Sequence, residues 1–220
     1  MKTVLIKEDI LSRNNERAKE VREVLRREHI YYINVMSSPG AGKTTLLTGL
    51  INALKEEFRI GVIEADIDSD TDALAMERAT GVRTIQMHTG GACHITCQMS
   101  MEALEALGLE GLDVVFLENI GNLVCPAEFD TGSNMNLVLL SVPEGDDKPL
   151  KYPLMFEVAS AVAVTKTDVA PIFDFDRETA IKNVRFRNPQ APVFFTAAAK
   201  NEGVKTLAEF LRGEIKKTIQ

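Results

Sequence analysis

Apolar residues come in short runs along most of this chain, with stretches of helical spacing between them. The runs YYINVM (31–36), IGVIEAD (60–66), VRTIQMH (82–88), DVVFLEN (113–119), NLVLLSV (136–142), AVAVTKTD (161–168) and APVFFTA (191–197) have the length and composition of buried strands. Helix candidates lie near 43–57, 70–80, 93–107, 153–159, 176–187 and 203–217. Ahead of the first strand, residues 9–28 are strongly charged and place Ala18, Val21 and Leu25 at i, i+3, i+7, the narrow stripe of an amphipathic helix. Apolar runs that alternate with helices predict an α/β fold, a mostly parallel central sheet with helices on both faces. No repeat, low-complexity tract or Pro/Gly linker interrupts the pattern. The expectation is a single domain over 1–220, with residues 1–29 as a helical extension packed on it.

Composition narrows the partners. A net charge of −7 opposes non-specific binding to nucleic acid or anionic membrane. The opening MKTVLIKEDI is not the start of a secretory leader, and no run of roughly 18 apolar residues occurs. A cytoplasmic protein is expected. Three cysteines in 220 residues do not make a disulfide framework and read as reduced thiols, free to act as ligands.

The most specific motif follows the first strand. SSPGAGKTT fits the phosphate-loop pattern of a P-loop NTPase from Ser38 onward, with Ser37 where the leading glycine is usual. Backbone N–H groups of Ser38, Gly40, Ala41, Gly42 and Thr45 must curl around phosphate oxygens at a helix N-terminus, and glycine permits both the dihedrals and the close approach; Pro39, which has no N–H, lends only its shape. Lys43 would neutralise the β/γ-phosphates and the Thr44 hydroxyl would ligate Mg²⁺. A carboxylate at the C-terminal end of a neighbouring strand must complete the Mg²⁺ shell. Asp66 and Glu118 are the candidates, with Asp68 as a helix cap. Glu118 is followed by Gly121, an E-x-x-G spacing like the D-x-x-G whose glycine N–H senses a γ-phosphate in GTPases.

Thr165, Lys166, Thr167 and Asp168 end a later strand and approximate the N/T-K-x-D guanine motif. A carboxylate accepts hydrogen bonds from guanine N1–H and its exocyclic amine but meets an acceptor at adenine N1, so Asp168 selects GTP and GDP. The segment TAAAKNEG (196–203) sits where backbone N–H groups, here of Ala198 and Ala199, contact the base. Asn122 follows Gly121 where Ras-like enzymes have a water-positioning glutamine, and no arginine finger is assignable, so hydrolysis should be slow.

Cys93, His94 and Cys97 crowd into five positions, with Cys93 and Cys97 at i, i+4, and Cys125 lies four residues beyond Gly121. Thiolate and imidazole suit Zn²⁺ and are competent for Ni²⁺ and Cu. On the residues alone, metal site, redox pair and thiol-containing core all remain open. His29 and His88 read as structural, and Met87, Met99 and Met101 as core. The segment EGDDKPLKYP (144–153) reads either as a solvated turn or as a carrier of partner-facing lysines.

Together SSPGAGKTT, VIEADID, TGGACH, LENIGNLVCPAEFD and SVPEGDDKPLKYPLMF resemble the HypB family, GTPases that assist nickel insertion into [NiFe]-hydrogenases. The resemblance runs from the first helix to the C-terminus. It implies a metal site for Ni²⁺ or Zn²⁺ formed by Cys93, His94 and Cys125 at the interface of a GTP-dependent homodimer, and partner proteins of hydrogenase maturation. Thr96 stands where the family usually has aspartate and Cys97 where it has alanine, leaving Cys97 as extra ligand, redox liability or neither. Some members carry an N-terminal cysteine motif or histidine-rich segment, and MKTVLIKEDI is neither. Urease-accessory GTPases, a metal-binding thiol switch with a vestigial nucleotide site, and a small-molecule P-loop kinase are the competing readings.

Overall fold

The structure, a computed structural model, describes residues 6–66 and 71–219. In chain order its elements begin α1 (Ile6–Arg27), β1 (Tyr31–Met36), α2 (Lys43–Leu54), β2 (Ile60–Asp66), α3 (Thr71–Thr80), β3 (Arg83–His88), α4 (Cys97–Leu107) and β4 (Val114–Glu118). They continue with α5 (Cys125–Glu128), β5 (Met135–Ser141), α6 (Lys148–Lys151), α7 (Pro153–Glu157), β6 (Ala161–Thr165), α8 (Arg177–Arg187), β7 (Val193–Phe195) and α9 (Val204–Ile219). All seven expected strands form and join one sheet in the order β3-β2-β4-β1-β5-β6-β7, every pairing parallel.

Strand β1 shows why most runs are largely apolar on both faces. Tyr31, Ile33 and Val35 face a core shared with α2, α3 and α9, whereas Tyr32 and Met36 face the opposite side. Both faces are covered, so the period-2 alternation of polarity disappears. Helix α2 supplies Leu46, Leu47, Leu50, Ile51 and Leu54, a stripe of adjacent turns, and α9 supplies Val204, Leu207, Ala208, Leu211 and Ile215. On the other face α1 and α4 cover β2 and β4, while α7 and α8 cover β5 and β6. The α1 stripe is as expected: Ala18, Val21 and Leu25 are buried. Met87, Met99 and Met101 pack on the same core.

The sheet order positions the site. The chain leaves β1 for β2, two places to one side, and later enters β5 on the other side, so β1 is the point where the strand order reverses. In open α/β sheets the crevice beyond the C-terminal end of such a strand is where ligands bind. Register sets Val35 opposite Glu118 and Glu64 opposite Glu118, putting both glutamates level with the end of β1. Among the described residues no helix is long and apolar enough to cross a membrane.

Candidate functional site

The loop after β1 has the backbone that its glycines foretell. Gly40 and Gly42 adopt φ of 72° and 92°, the left-handed region, and a side chain at Gly40 would meet nothing within 4 Å. Left-handed steps between right-handed ones turn successive N–H groups to one side, forming an anion cradle at the start of α2. Ser37 is not left-handed, which is why serine serves where glycine is usual. Its carbonyl accepts the Asn122 N–H at 2.8 Å. The Ser38 hydroxyl donates to Glu144, which also accepts from Ser141 N–H at 2.9 Å, tying the loop to the end of β5.

Two loops close on this cradle from the far side of the sheet. The Thr165 hydroxyl donates to the Ala41 carbonyl at 2.6 Å, and Lys166 Nζ donates to the Gly40 carbonyl at 2.7 Å. Threonine in place of asparagine therefore still braces the phosphate loop. Ala41, Gly42, Thr45, Thr165, Lys166, Asp168, Ala198 and Ala199 surround one cavity of about 100 Å³. Three stretches, 41–45, 165–168 and 198–199, thus line one cavity although they lie far apart in sequence. Lys200 Nζ lies 3.5 Å from Asp168 Oδ2.

At the cation end, Thr44 Oγ1 donates to Glu118 Oε1 at 2.9 Å and Lys43 Nζ is 3.9 Å from the same oxygen. Glu118 is 3% exposed and its Oε2 has no hydrogen-bond partner. Beside it stands Glu64, 2% exposed, a residue sequence reasoning passed over. Burial first, then the neighbouring Glu118 charge, pushes the Glu64 carboxyl up to about 11; burial also raises Glu118, against the pull of Lys43. Two carboxyls in so dry a place disfavour each other's ionisation, which is why both are raised. Asp66 ends β2, two residues beyond Glu64 and on the same strand face. Asp68 lies outside the described residues.

Gly121 explains its own identity. A Cβ there would sit 2.7 Å from Pro39 Cα and 2.8 Å from Pro39 N, so the strand-end loop packs directly on the phosphate-loop backbone. Gly121→Ala forces the two apart at a cost of about 1–3 kcal/mol. Affinity for a GTP analogue should fall roughly tenfold, and equilibrium titration with fluorescent nucleotide would measure it; unchanged affinity would mean the contact is idle.

The cysteines separate into two roles. Cys93, His94 and Cys125 bring their ligand atoms within 4.8 Å of one another, with Cys93 Sγ 3.1 Å from Cys125 Sγ and 3.8 Å from His94 Nδ1. Cys93 precedes α4 and does not lie on it: the helix expected from residue 93 starts at Cys97, because Thr96 caps it by accepting the Met99 N–H at 3.3 Å. Cys97 is therefore turned away from Cys93, is fully buried in the α1/α4 core, and burial pushes its thiol up to about 11. It is a core residue. The hydrogen bond with Cys125 raises the Cys93 thiol, and partial burial lowers the His94 imidazole, keeping it neutral and able to ligate. His94 stacks on Phe129 with ring centroids 3.8 Å apart.

Asn122 joins the two halves. Its backbone N–H donates to the phosphate-loop carbonyl of Ser37, its Nδ2 donates to the Cys93 carbonyl at 3.1 Å, and its Oδ1 accepts from Val124 N–H at 2.8 Å, one residue before Cys125. One side chain thus touches both arms of the thiol–imidazole cluster while its main chain rests on the phosphate loop. His29 and His88 stand exposed at element ends, away from this cluster.

A parallel sheet that reverses order at a strand followed by a glycine cradle, with a buried carboxylate on the adjacent strand, defines a P-loop nucleotide-binding protein. Residues 31–195 match the CobW/HypB/UreG nucleotide-binding domain. The chain belongs to that family, and within it to the HypB maturation factors. The hydrogenase/urease maturation factor HypB of Helicobacter hepaticus is 42% identical over 214 residues, 96% of this chain and 87% of that protein. The hydrogenase maturation factor HypB of Azotobacter chroococcum mcd 1 is 46% identical over 203 residues; the match takes 91% of this chain but 66% of that longer factor. The crystal structure of HypB from Helicobacter pylori in complex with nickel superposes with a TM-score of 0.87 at 39% identity, covering 94% of this chain and 97% of that one.

Proposed function

We propose that this protein is a slow GTPase of hydrogenase maturation whose nucleotide state governs a Cys93–His94–Cys125 site for nickel or zinc. Asn122, hydrogen-bonded to the phosphate loop and to both ligand arms, is the observation that carries the reading. In this reading the 38–45 cradle takes the phosphates and Lys43 neutralises their outer charge. Asp168 selects guanine, with the Ala198 and Ala199 amides at the base edge, while Thr165 and Lys166 brace the phosphate loop beside it. Thr44, Asp66 and Glu118 would hold Mg²⁺, and the unpartnered buried oxygen of Glu118 beside the Thr44 hydroxyl fits a hard cation. When bound, Mg²⁺ offsets charge on the β- and γ-phosphates.

Gly121 supplies the trigger. Turning its N–H toward a γ-phosphate moves Asn122, and Asn122 pulls on the Cys93 carbonyl and the Val124 amide together. Three ligands leave a fourth coordination position, which a second copy about a two-fold axis or a maturation partner would fill. Asn122 cannot reach as a glutamine does, so turnover stays slow. Steady-state GTP hydrolysis by the metal-free protein tests the enzymatic half: measurable turnover, lost in Lys43→Ala, is expected, and its absence would leave a metal-binding protein with a vestigial nucleotide site.

Ligation requires thiolates, and the Cys93 thiol is raised, so metal must displace protons. Affinity should weaken as pH falls, about tenfold per pH unit for each proton displaced. His94, whose imidazole is lowered, adds little to that slope near neutrality. Ni²⁺ titration in weak buffer, following proton release, checks this; uptake without protons would exclude thiolate ligation.

A further inference from the structure

The side chain of Asn14 interrupts the apolar stripe of α1. It lies four residues before Ala18 on the same face and is 8% exposed, where Ala18, Val21 and Leu25 are buried apolar neighbours. A carboxamide in such a place is costly unless both ends are bonded. Both are: Oδ1 accepts the Cys97 N–H at 2.8 Å and Nδ2 donates to the Asp130 carbonyl at 2.8 Å.

The two partners belong to the two arms of the metal cluster. Cys97 opens α4 three residues after His94, and its amide is one of the helix-start N–H groups that no carbonyl within α4 can satisfy. Asp130 follows Phe129, the ring on which His94 stacks. Asn14 therefore fixes the spacing between the Cys93–His94 arm and the Cys125–Phe129 arm from the core side, while Asn122 bridges the same arms beside the phosphate loop. A second brace on α1 points the same way: Arg22 donates to Asp130 Oδ1 at 2.7 Å and to the Ser133 carbonyl at 3.2 Å.

We infer that Asn14 is a positioning residue for metal binding, a clasp through which α1 holds both ligand arms at coordinating distance. The inference rests on the metal-site reading given above. Ser100, whose hydroxyl donates to the Thr131 carbonyl at 2.9 Å, supplies a further tie between α4 and the second arm. Loss of Asn14 should therefore weaken the site without erasing it. Second-sphere groups that orient metal ligands are worth about 10–100-fold in affinity, and the lower end is expected. Displacing α1 would loosen both arms at once, giving the helix a handle on metal release.

The test uses the full chain and Ni²⁺, read by competition with a chromophoric chelator and by the thiolate-to-nickel charge-transfer band. Asn14→Leu keeps the apolar packing and removes both bonds; Asn14→Asp keeps the acceptor for Cys97 and loses the donor to Asp130. Expected are a roughly tenfold loss of affinity and an altered band in Asn14→Leu, a loss at least as large in Asn14→Asp, whose carboxylate oxygen would face the Asp130 carbonyl, and unchanged GTP affinity in both. Cys93→Ala is the control. If Cys93→Ala loses the band while both Asn14 variants match the parent protein, the clasp is overturned and the metal site stands. If Cys93→Ala itself keeps the parent affinity and band, the metal-site reading falls and the clasp with it. Should Asn14→Leu fail to fold, the comparison of Asn14→Asp with the parent decides in the same terms.

Discussion

Alanine at Cys93, His94 or Cys125 is expected to lower Ni²⁺ or Zn²⁺ affinity by about a hundredfold or more in each case, whereas Cys97→Ala changes it only a few-fold. The asymmetry comes from geometry. Ligand atoms of the first three lie within 4.8 Å of one another, so each removal deletes a coordinate bond. Cys97 is fully buried against α1 with its thiol raised to about 11, and its loss leaves a small gap in the core. That gap belongs to folding: Cys97→Ala should lower thermal stability while sparing metal, and unfolding followed with and without Ni²⁺ separates the effects. A variant series in which Cys97 proved essential and Cys125 dispensable would contradict the assignment.

The second large effect concerns the base. Asp168→Asn should weaken GTP at least tenfold and improve xanthosine triphosphate, whose extra carbonyl accepts from the new amide. A lost charge-assisted pair costs about 1.5–3 kcal/mol, which sets the fold-change. The aspartate is well placed to act: it lines the same cavity as Ala41, Ala198 and Ala199, and its ion pair with Lys200 at 3.5 Å is to an exposed lysine that guanine donors can displace. Competitive titration of the two nucleotides reads out the exchange of preference. Equal GTP affinity in parent and variant would remove the guanine assignment.

Much of this was legible in the sequence because the strands declare themselves. Residues such as those of β1 are buried on both sides, and a largely apolar run is hard to mistake when bounded by turns. The phosphate loop was legible for a related reason, since its glycines answer to left-handed backbone at Gly40 and Gly42. The short helices α5 and α6 were not foreseen, as four residues cannot show a helical period. The start of α4 was misread because i, i+4 spacing is equally compatible with a loop that precedes a cap; Thr96, not the cysteines, decides where the helix begins. In segment 144–153, which reads either as a solvated turn or as a carrier of partner-facing lysines, Glu144 ties to the phosphate loop, Pro149 is buried, and Lys151 stays exposed while pairing with Asp147.

What sequence reading missed shares one property. Glu64, Asn14 and Asn122 act through partners that lie far along the chain: Glu118 for the first, Cys97 and Asp130 for the second, Ser37 and Cys93 for the third. A single polar residue in an apolar stripe was the available signal for Asn14, and a charged residue inside the run IGVIEAD was the signal for Glu64. Neither names its partner until the sheet order is known.

Communication between the γ-phosphate and the thiols is what makes the protein a switch. Ni²⁺ affinity measured by chelator competition, in the presence of Mg²⁺ with GDP and then with a non-hydrolysable GTP analogue, tests it most directly. A coupling of about 1–3 kcal/mol, or roughly 5–150-fold in affinity, is predicted, together with its collapse in Asn122→Ala. Equal Ni²⁺ affinity in the two nucleotide states of the parent protein would contradict it.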